Sequence, residues 1–512
     1  MDIQPSQAID IFDLYKPFRN AIRELALPSS LKSCWEYQKY ADVSGVIKLS
    51  TVFGPGRPSF EIYIWELHIL CREILLHANG TKNTLSTADG LVKYINKLRK
   101  CTEGISARTI KSADRAMQEL FLLAHQQARW QHSLDQARIF RAYHIYSDHD
   151  LCNTFYKETG ISMTDMTAIA LTVGGITKDR IDINSKQDYS VLGIRPEVRD
   201  NFFKMTSKTI KEIRNEITRV QRYDQGWPYT WNPLEAYPLI DLQLDNGNTL
   251  WCPLPELLSR RITEGLFYDL RIGNGSTGAQ YGKAFEHYVG KVITNIFPKD
   301  KFRVSGEHPY NVKGQIKHGV DWIISDDTGN LFIECKTRRL RHEAKELANG
   351  NAVKKSFEEL ADAVVQLYRN IDDAISGKTK WNFNHLQNYP FIITYEDWYI
   401  STPVVEMYLI ESVKEKLLSF QMSTKLIEST PFFIVSIAEF EKAGQAISHL
   451  GIRCFCTSNN VNKYRLFKLS RLAFEEFPNV KIPYRLLFQE TWADMFPNLK
   501  HLLDKIPPAG LL

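Results

Sequence analysis

The chain has 512 residues, of which 44% are hydrophobic, 12% aromatic and 24% charged. Its 64 basic residues against 59 acidic residues give a formal net charge of +5, which by itself does not require a nucleic-acid partner. The length and ordinary composition exclude a low-complexity chain and favour two or more globular domains.

No apolar run approaches the roughly 18 residues needed to cross a bilayer, so we expect no membrane partner. The N-terminal segment lacks the basic and apolar regions of a signal peptide. The eight cysteines are scattered without a Cys-x-x-Cys pair, which indicates neither a disulfide framework nor a zinc site. These features together predict a cytoplasmic protein.

Residues 1–225 are predicted to form a mostly helical domain. Its helical stretches lie at 61–78, 87–100, 112–143 and 204–223. Residues 155–170 weakly resemble a helix-turn-helix, although ordinary helix pairs give the same pattern. Sensing, DNA contact and oligomerisation are all open roles for this domain.

A cluster of Gly, Pro and aromatic residues at 226–238 predicts a linker, after which the pattern changes towards strands. The segments 239–244 and 249–252 form a predicted hairpin around an Asp-Asn-Gly-Asn turn. Later helices are predicted at 255–270, 281–297 and 353–375, and strands at 302–307 and 390–395. The fold class is therefore predicted to be α/β, or α+β over the whole chain.

The most informative stretch is a second predicted hairpin at 319–337. Two apolar strands flank the turn 326–330, whose Asp and Gly residues suit a tight turn. Strand side chains alternate between faces, so Glu334 and Lys336 share one side. A four-residue loop would set Asp321 opposite Glu334, with Cβ atoms about 5 Å apart. Such charges on an apolar hairpin need partners, and a divalent metal ion is the simplest one.

Asp321 followed by Glu334-Cys335-Lys336 on the next strand resembles the signature of the PD-(D/E)XK superfamily, the restriction-endonuclease-like nucleases. A valine replaces the usual proline before Asp321. The resemblance covers about 278–400 and implies a mixed central sheet flanked by helices. It also implies that Asp321, Glu334 and the Cys335 backbone carbonyl bind Mg²⁺, with Mn²⁺ as a substitute. Lys336 would orient or deprotonate the attacking water.

The Glu-x-Lys pattern alone is weak in a chain so rich in charge. Glu343-Ala344-Lys345 repeats it in a polar, helical stretch that contains no strand. The alternative interpretation of 319–337 is a surface hairpin that carries an ion pair. Residues 239–512 are nevertheless predicted to form the restriction-endonuclease-like domain with a C-terminal α/β extension.

A predicted amphipathic helix at 281–297 adds a further acidic residue. Glu286 lies at the edge of its apolar face, one turn from Gly282 and one turn from Gly290, and these glycines allow close approach. Many members of the superfamily carry an acidic residue on the helix before the Asp strand. The resemblance therefore implies catalytic and metal-binding roles for Glu286, and a partly exposed helix-edge glutamate is the alternative.

Basic residues surround the predicted hairpin. Arg338, Arg339 and Arg341 follow its second strand, and Lys317 precedes Asp321. These four residues are predicted to hold the DNA backbone by charge without reading its sequence. A solvated basic loop is the alternative interpretation.

The sequence thus predicts a Mg²⁺-dependent DNA endonuclease, placed in bacterial anti-phage defence or restriction by analogy alone. One alternative is a catalytically weak nucleic-acid-binding module. Another is an effector whose N-terminal domain gates the nuclease when a phage or host protein binds. A single catalytic constellation cuts one strand, so we expect a homodimer.

Overall fold

The computed structural model describes residues 10–55, 59–111, 113–127, 136–245, 247–270, 276–312, 314–337, 339, 350–400 and 403–499. Within these ranges the protein is a mixed α/β structure, as the sequence predicted, and helices predominate in it. No helix in these ranges is long and apolar enough to cross a membrane.

Helices occur along the whole described chain. In chain order they are α1 (Phe12–Arg23), α2 (Leu27–Gln38), α3 (Leu49–Phe53), α4 (Ile64–His77), α5 (Ala88–Thr109), α6 (Ala113–Gln127), α7 (Gln136–Tyr146), α8 (His149–Thr159), α9 (Met163–Asp179), α10 (Pro196–Thr206), α11 (Ile210–Val220), α12 (Pro255–Arg261), α13 (Ser276–Ile296), α14 (Gly350–Ile375), α15 (Pro403–Ser419), α16 (Leu426–Ser429), α17 (Ile437–Leu450), α18 (Ile452–Cys456), α19 (Val461–Tyr464), α20 (Leu469–Glu476) and α21 (Trp492–Met495).

The strands are short except at the centre of one sheet. In chain order they are β1 (Val46–Lys48), β2 (Glu61–Tyr63), β3 (Asp182–Asn184), β4 (Ser207–Thr209), β5 (Leu239–Asp241), β6 (Thr249–Trp251), β7 (Arg303–Gly306), β8 (Tyr310–Val312), β9 (Gln315–Lys317), β10 (Trp322–Ser325), β11 (Gly329–Lys336), β12 (Gln387–Thr394) and β13 (Phe433–Ser436).

The prediction of one continuous helix at 204–223 is wrong near its N-terminal end, where β4 separates α10 from α11. The Thr209 hydroxyl accepts a hydrogen bond from the backbone N–H of Glu212, and the Glu212 carboxylate accepts one from the backbone N–H of Thr209. This reciprocal capping box starts a new helix at Ile210. The helical periodicity of α11 is real, but a cap interrupts the longer pattern.

The chain divides into two compact units. We call the described residues between 276 and 488 the sheet unit, and those between 10 and 270 together with 489–499 the helical unit. This division differs from the predicted linker, because 226–238 lies inside the helical unit and Trp227 is fully buried. The hairpin β5–β6 also belongs there, in a four-stranded sheet of order β3-β6-β5-β4. Trp227, Tyr229 and Leu234 of the 226–238 segment are buried in the helical unit.

A buried polar network holds the 226–238 segment in the helical unit. Arg72 and Glu73 of α4 are both buried and form an ion pair of 2.9 Å. The Arg72 guanidinium also donates to the backbone carbonyl of Thr230 at 2.6 Å, and the Tyr15 hydroxyl donates to Glu73 at 2.7 Å. Buried charges are tolerated because each has partners of this kind.

The sheet unit is built on a five-stranded mixed sheet of order β13-β12-β11-β10-β7. β11, β12 and β13 are parallel, while β10 is antiparallel to both β7 and β11. α14 connects β11 to β12, the kind of crossover that parallel strands require. α14 and α15 are joined by an ion pair between Asp362 and Lys416 at 2.5 Å. α13 packs on α17, where Ile296 lies against Gly444.

The turn between β10 and β11 confirms the predicted hairpin. Asp326 Oδ1 accepts hydrogen bonds from the backbone N–H groups of Thr328 and Gly329, at 2.7 and 2.9 Å. Trp322 pairs with Ile333, and Ser325 pairs with Asn330. The turn chemistry thus fixes the register of both strands.

Candidate active site

The hairpin brings two of the predicted metal ligands, Asp321 and Glu334, together. Trp322 pairs with Ile333, so the register carried one residue further sets Asp321 opposite Glu334. The side chain of Asp321 also bonds across the hairpin, since its Oδ2 accepts a hydrogen bond of 2.6 Å from the backbone N–H of Cys335. This bond holds the Asp321 carboxylate at the end of β11.

Glu334 is buried, with 5% of its surface exposed, and one of its carboxylate oxygens accepts a hydrogen bond. Lys336 Nζ donates to Glu334 Oε1 at 2.7 Å, which places both side chains on one side of β11 as predicted. Oε2 has no hydrogen-bond partner among the described residues. Burial raises the pKa of the Glu334 carboxyl although the charge and hydrogen bond of Lys336 lower it.

The carboxyl group of Asp321, like that of Glu334, has a raised pKa. Burial raises the pKa of its carboxyl, and the charge of Glu334 raises it further, against the hydrogen bond from Cys335. Two neighbouring carboxyl groups out of water cannot both be ionised at low cost, so either they share a proton or a cation binds between them. The metal-free site therefore favours retention of a proton.

Glu286 lies on α13. Partial burial raises the pKa of its carboxyl, and the charges of Glu307 and Glu334 raise it further. The predicted role of the glycines holds at Gly290, where an added Cβ would lie 2.3 Å from the Trp322 ring. At Gly282 the nearest atom to such a Cβ is 3.9 Å away, so only Gly290 is required for close packing.

Glu307, which no sequence pattern singles out, also lies next to Asp321 across the sheet. β7 pairs with β10 so that Trp322 lies opposite Gly306, and the next position sets Glu307 opposite Asp321. Glu307, Asp321 and Glu334 therefore follow one another across three adjacent strands, and we call them the acidic row. His318 Nδ1 lies 2.9 Å from Glu307 Oε1 at the edge of this row. Glu307 ends a predicted strand, but only the order of strands in the sheet reveals its neighbour.

Cys335 enters the predicted site through its backbone. The pKa of its thiol is raised well above the ordinary value, first by burial and then by the charge of Asp321. A protonated thiol is a poor ligand for a hard cation such as Mg²⁺. The predicted ligand is the carbonyl oxygen of Cys335, for which a thiol that stays neutral is no obstacle.

The two predicted DNA-binding cations that the structure describes, Arg339 and Lys317, each form an ion pair with a carboxylate. Arg339 is only 9% exposed in its side chain and forms an ion pair of 3.0 Å with Glu396. Its guanidinium also lies 4.8 Å from the centre of the Tyr395 ring. Lys317 forms an ion pair of 2.9 Å with Asp373. Arg338 and Arg341, like the repeated pattern at 343–345, lie outside the described residues.

Two observations test whether a divalent cation fits the acidic row. In the described part of the chain, no group of three or more His, Cys, Asp or Glu side chains has an arrangement that could hold a metal ion. However, Glu334 presents a buried oxygen without a hydrogen-bond partner among those residues. Mg²⁺ commonly takes one or two carboxylates and completes its octahedral shell with waters and substrate oxygens. Asp321, Glu334 and the Cys335 carbonyl supply a set of this kind.

Comparison with known proteins adds no relative. No protein-family model, no curated protein and no solved structure matches this chain.

Proposed function

We propose that the protein is a Mg²⁺-dependent nuclease that hydrolyses phosphodiester bonds of DNA. The observation that carries the proposal is the pairing of Asp321 with Glu334, both with raised carboxyl pKa values, beside the Lys336 ammonium. A structural ion pair would need only one carboxylate for one ammonium. The second buried carboxylate is a cost to stability that a bound cation would offset.

In this proposal Asp321, Glu334 and the Cys335 carbonyl would hold Mg²⁺, and Glu286 would complete the site from α13. When bound, the cation would activate a water and stabilise the charge that develops on the phosphate. The mixed sheet and its flanking helices support the restriction-endonuclease-like arrangement that the resemblance implies.

Lys336 has a separate task. One of its three N–H groups donates to Glu334, which leaves two for other acceptors. Its side chain is 27% exposed, so a water molecule can approach the ammonium. Lys336 would therefore position this water against the phosphorus and share its proton. Glu334 would fix the ammonium in place.

The direct test is cleavage by the purified protein of supercoiled, linear and single-stranded DNA, with and without Mg²⁺. Asp321→Asn and Glu334→Gln should each abolish Mg²⁺-dependent cleavage while the protein stays folded. Glu411→Gln, which changes an exposed glutamate of α15, is the matched control and should cleave normally. Full cleavage by both site variants would overturn the assignment of the site.

The wider predictions stay predictions. They are the substitution of Mn²⁺ for Mg²⁺, a homodimer, a role in anti-phage defence or restriction, and gating by a phage or host protein through the helical unit. A folded protein that binds DNA but does not cleave it under any of the conditions above would favour the nucleic-acid-binding alternative.

A further inference from the structure

One side of α13 carries basic residues at the repeat of the helix. Lys283, His287 and Lys291 are all exposed and follow one another at intervals of four residues. Residues four apart on a helix lie on the same side, about 6 Å apart along its axis. We call these three residues the α13 stripe.

The α13 stripe begins beside the candidate active site. The charges of His287 and Lys283 act on the Glu286 carboxyl and lower its pKa, against the larger effects of burial and Glu307. The same helix packs beside Asp321, because an added Cβ at Gly290 would lie 2.3 Å from the ring of Trp322, the residue that follows Asp321. The stripe and the acidic row are therefore neighbours within the sheet unit.

An open groove of about 500 Å³ borders the far half of the stripe. Its lining combines Lys291 and His287 of the stripe with polar groups and the partly exposed Trp322; the lining residues are His287, Gly290, Lys291, Thr294, Asn295, Trp322 and Phe488. Lysine cations track a phosphate backbone, and an accessible aromatic ring such as that of Trp322 can stack on a base without reading it. A surface of this composition suits a nucleic-acid strand.

From these observations we infer that the α13 stripe binds the backbone of one DNA strand and leads it to the acidic row. The inference rests on the proposed function for the identity of its ligand. From Lys283 to Lys291 the stripe spans about 12 Å, since each residue of a helix rises about 1.5 Å. Phosphates of one strand of B-DNA recur about every 3.4 Å along the axis, so the stripe covers three or four of them.

Arg339 and Lys317, which the sequence predicted to bind DNA, are less suited than the α13 stripe to bind phosphates. Arg339 and Lys317 already neutralise Glu396 and Asp373. In the described part of the sheet unit, neither Lys283 nor Lys291 has an ion pair with a carboxylate. Their charges are thus available to phosphates without the breaking of an internal bridge.

The test compares two double variants of the full chain that lose the same charge. Lys283→Ala/Lys291→Ala removes the lysines of the stripe, and Lys414→Ala/Lys442→Ala removes exposed lysines of α15 and α17. Binding of a fluorescently labelled 20-nucleotide strand and its duplex is measured by anisotropy in EDTA, so that Mg²⁺-dependent cleavage cannot occur. The salt concentration is varied from 50 to 300 mM, and thermal unfolding confirms that both variants are folded.

Each lost phosphate contact lowers the slope of log affinity against log salt by about 0.7 for a single strand and 0.9 for a duplex. Two contacts correspond to an affinity loss of about 25- to 60-fold at 0.1 M salt. We expect this loss, and the smaller slope, in the stripe variant alone. Equal affinities of the two variants, or no binding of DNA by the wild type, would overturn the inference.

Cleavage of the same DNA with Mg²⁺ is scored separately, so that the two proposals fail independently. A wild type that binds through the stripe but never cleaves contradicts the proposed function and supports the binding surface. A wild type that cleaves, with a stripe variant that binds normally, contradicts only the binding surface.

Discussion

Asp321 should make the metal-free protein less stable as the pH rises, and Asp321→Asn should remove this dependence. Burial, followed by the charge of Glu334, raises the pKa of the Asp321 carboxyl from 3.8 to about 8. Between these values the folded protein keeps a proton that the unfolded chain releases. The stabilisation that this retained proton provides is therefore full below about pH 4 and is lost as the pH rises towards 8.

The magnitude follows from this interval. Each pH unit within it is worth about 1.36 kcal/mol, so a rise from pH 5 to pH 8 costs at most about 4 kcal/mol. Because ionisation of either carboxyl disfavours ionisation of the other, Asp321→Asn recovers only part of this cost. We expect the substitution to reduce the pH-dependent loss of the free energy of unfolding by about 2 to 4 kcal/mol. In a unit of about 200 residues this corresponds to roughly 4 to 16 °C in Tm.

The assay is thermal unfolding in EDTA at pH 5 and pH 8, with hydrogen exchange of β10 and β11 to identify the transition of the sheet unit. The wild type should lose more Tm than Asp321→Asn between the two pH values. Mg²⁺ should restore the wild type at pH 8, since the cation takes the place of the proton, and should leave the variant unchanged. Asp372→Asn, an exposed position of α14, is the control. Parallel pH profiles of wild type and Asp321→Asn would refute the reasoning.

Substitutions at three further sites test other parts of the structure. Lys336→Ala should slow single-turnover cleavage by about 10² to 10⁴ without loss of metal binding, and Lys336→Arg should recover little because the guanidinium is bulkier and stays protonated. Gly290→Ala should destabilise the sheet unit by about 1 to 3 kcal/mol in thermal unfolding, whereas Gly282→Ala, with open space around it, should be neutral or gain up to about 1 kcal/mol. Arg72→Ala should destabilise the helical unit by about 3 to 5 kcal/mol in urea, because Glu73 loses its buried partner, and Arg72→Met/Glu73→Leu should cost less.

The features that could be predicted from the sequence are those set by nearby residues. The register of the hairpin β10–β11 follows from the turn residues and the alternation of strand side chains, so the opposition of Asp321 and Glu334 was predictable. Long amphipathic helices such as α13 and α14 were predictable from their periodicity. Local chemistry thus gave the centre of the candidate site and the class of the fold.

The features that could not be predicted depend on partners distant in the chain. Glu307 joins the acidic row because β7 pairs with β10, and no local pattern specifies that pairing. Arg339 lies in a basic stretch typical of DNA-binding residues, but its side chain is buried in contact with Glu396 and the Tyr395 ring. The aromatic segment at 226–238 has the composition of a linker, yet its Trp227 contributes to a core. In each case tertiary packing determines the role of the residue.

The acidic row and the α13 stripe together set a condition on how DNA could bind. Phosphates are anions, and the acidic row stays negative even when Asp321 and Glu334 keep one proton between them, so the row alone should repel a substrate. Cations must offset this repulsion, and the α13 stripe supplies positive charge along one helix. Over the row itself a bound Mg²⁺ would add to the charge of Lys336, whose ammonium is bonded to Glu334. DNA affinity of the wild type should therefore rise when Mg²⁺ is added to a short phosphorothioate strand that resists cleavage. In a Glu334→Gln variant the metal-free affinity should be higher and the effect of Mg²⁺ smaller, because one repelling charge is absent before the metal arrives.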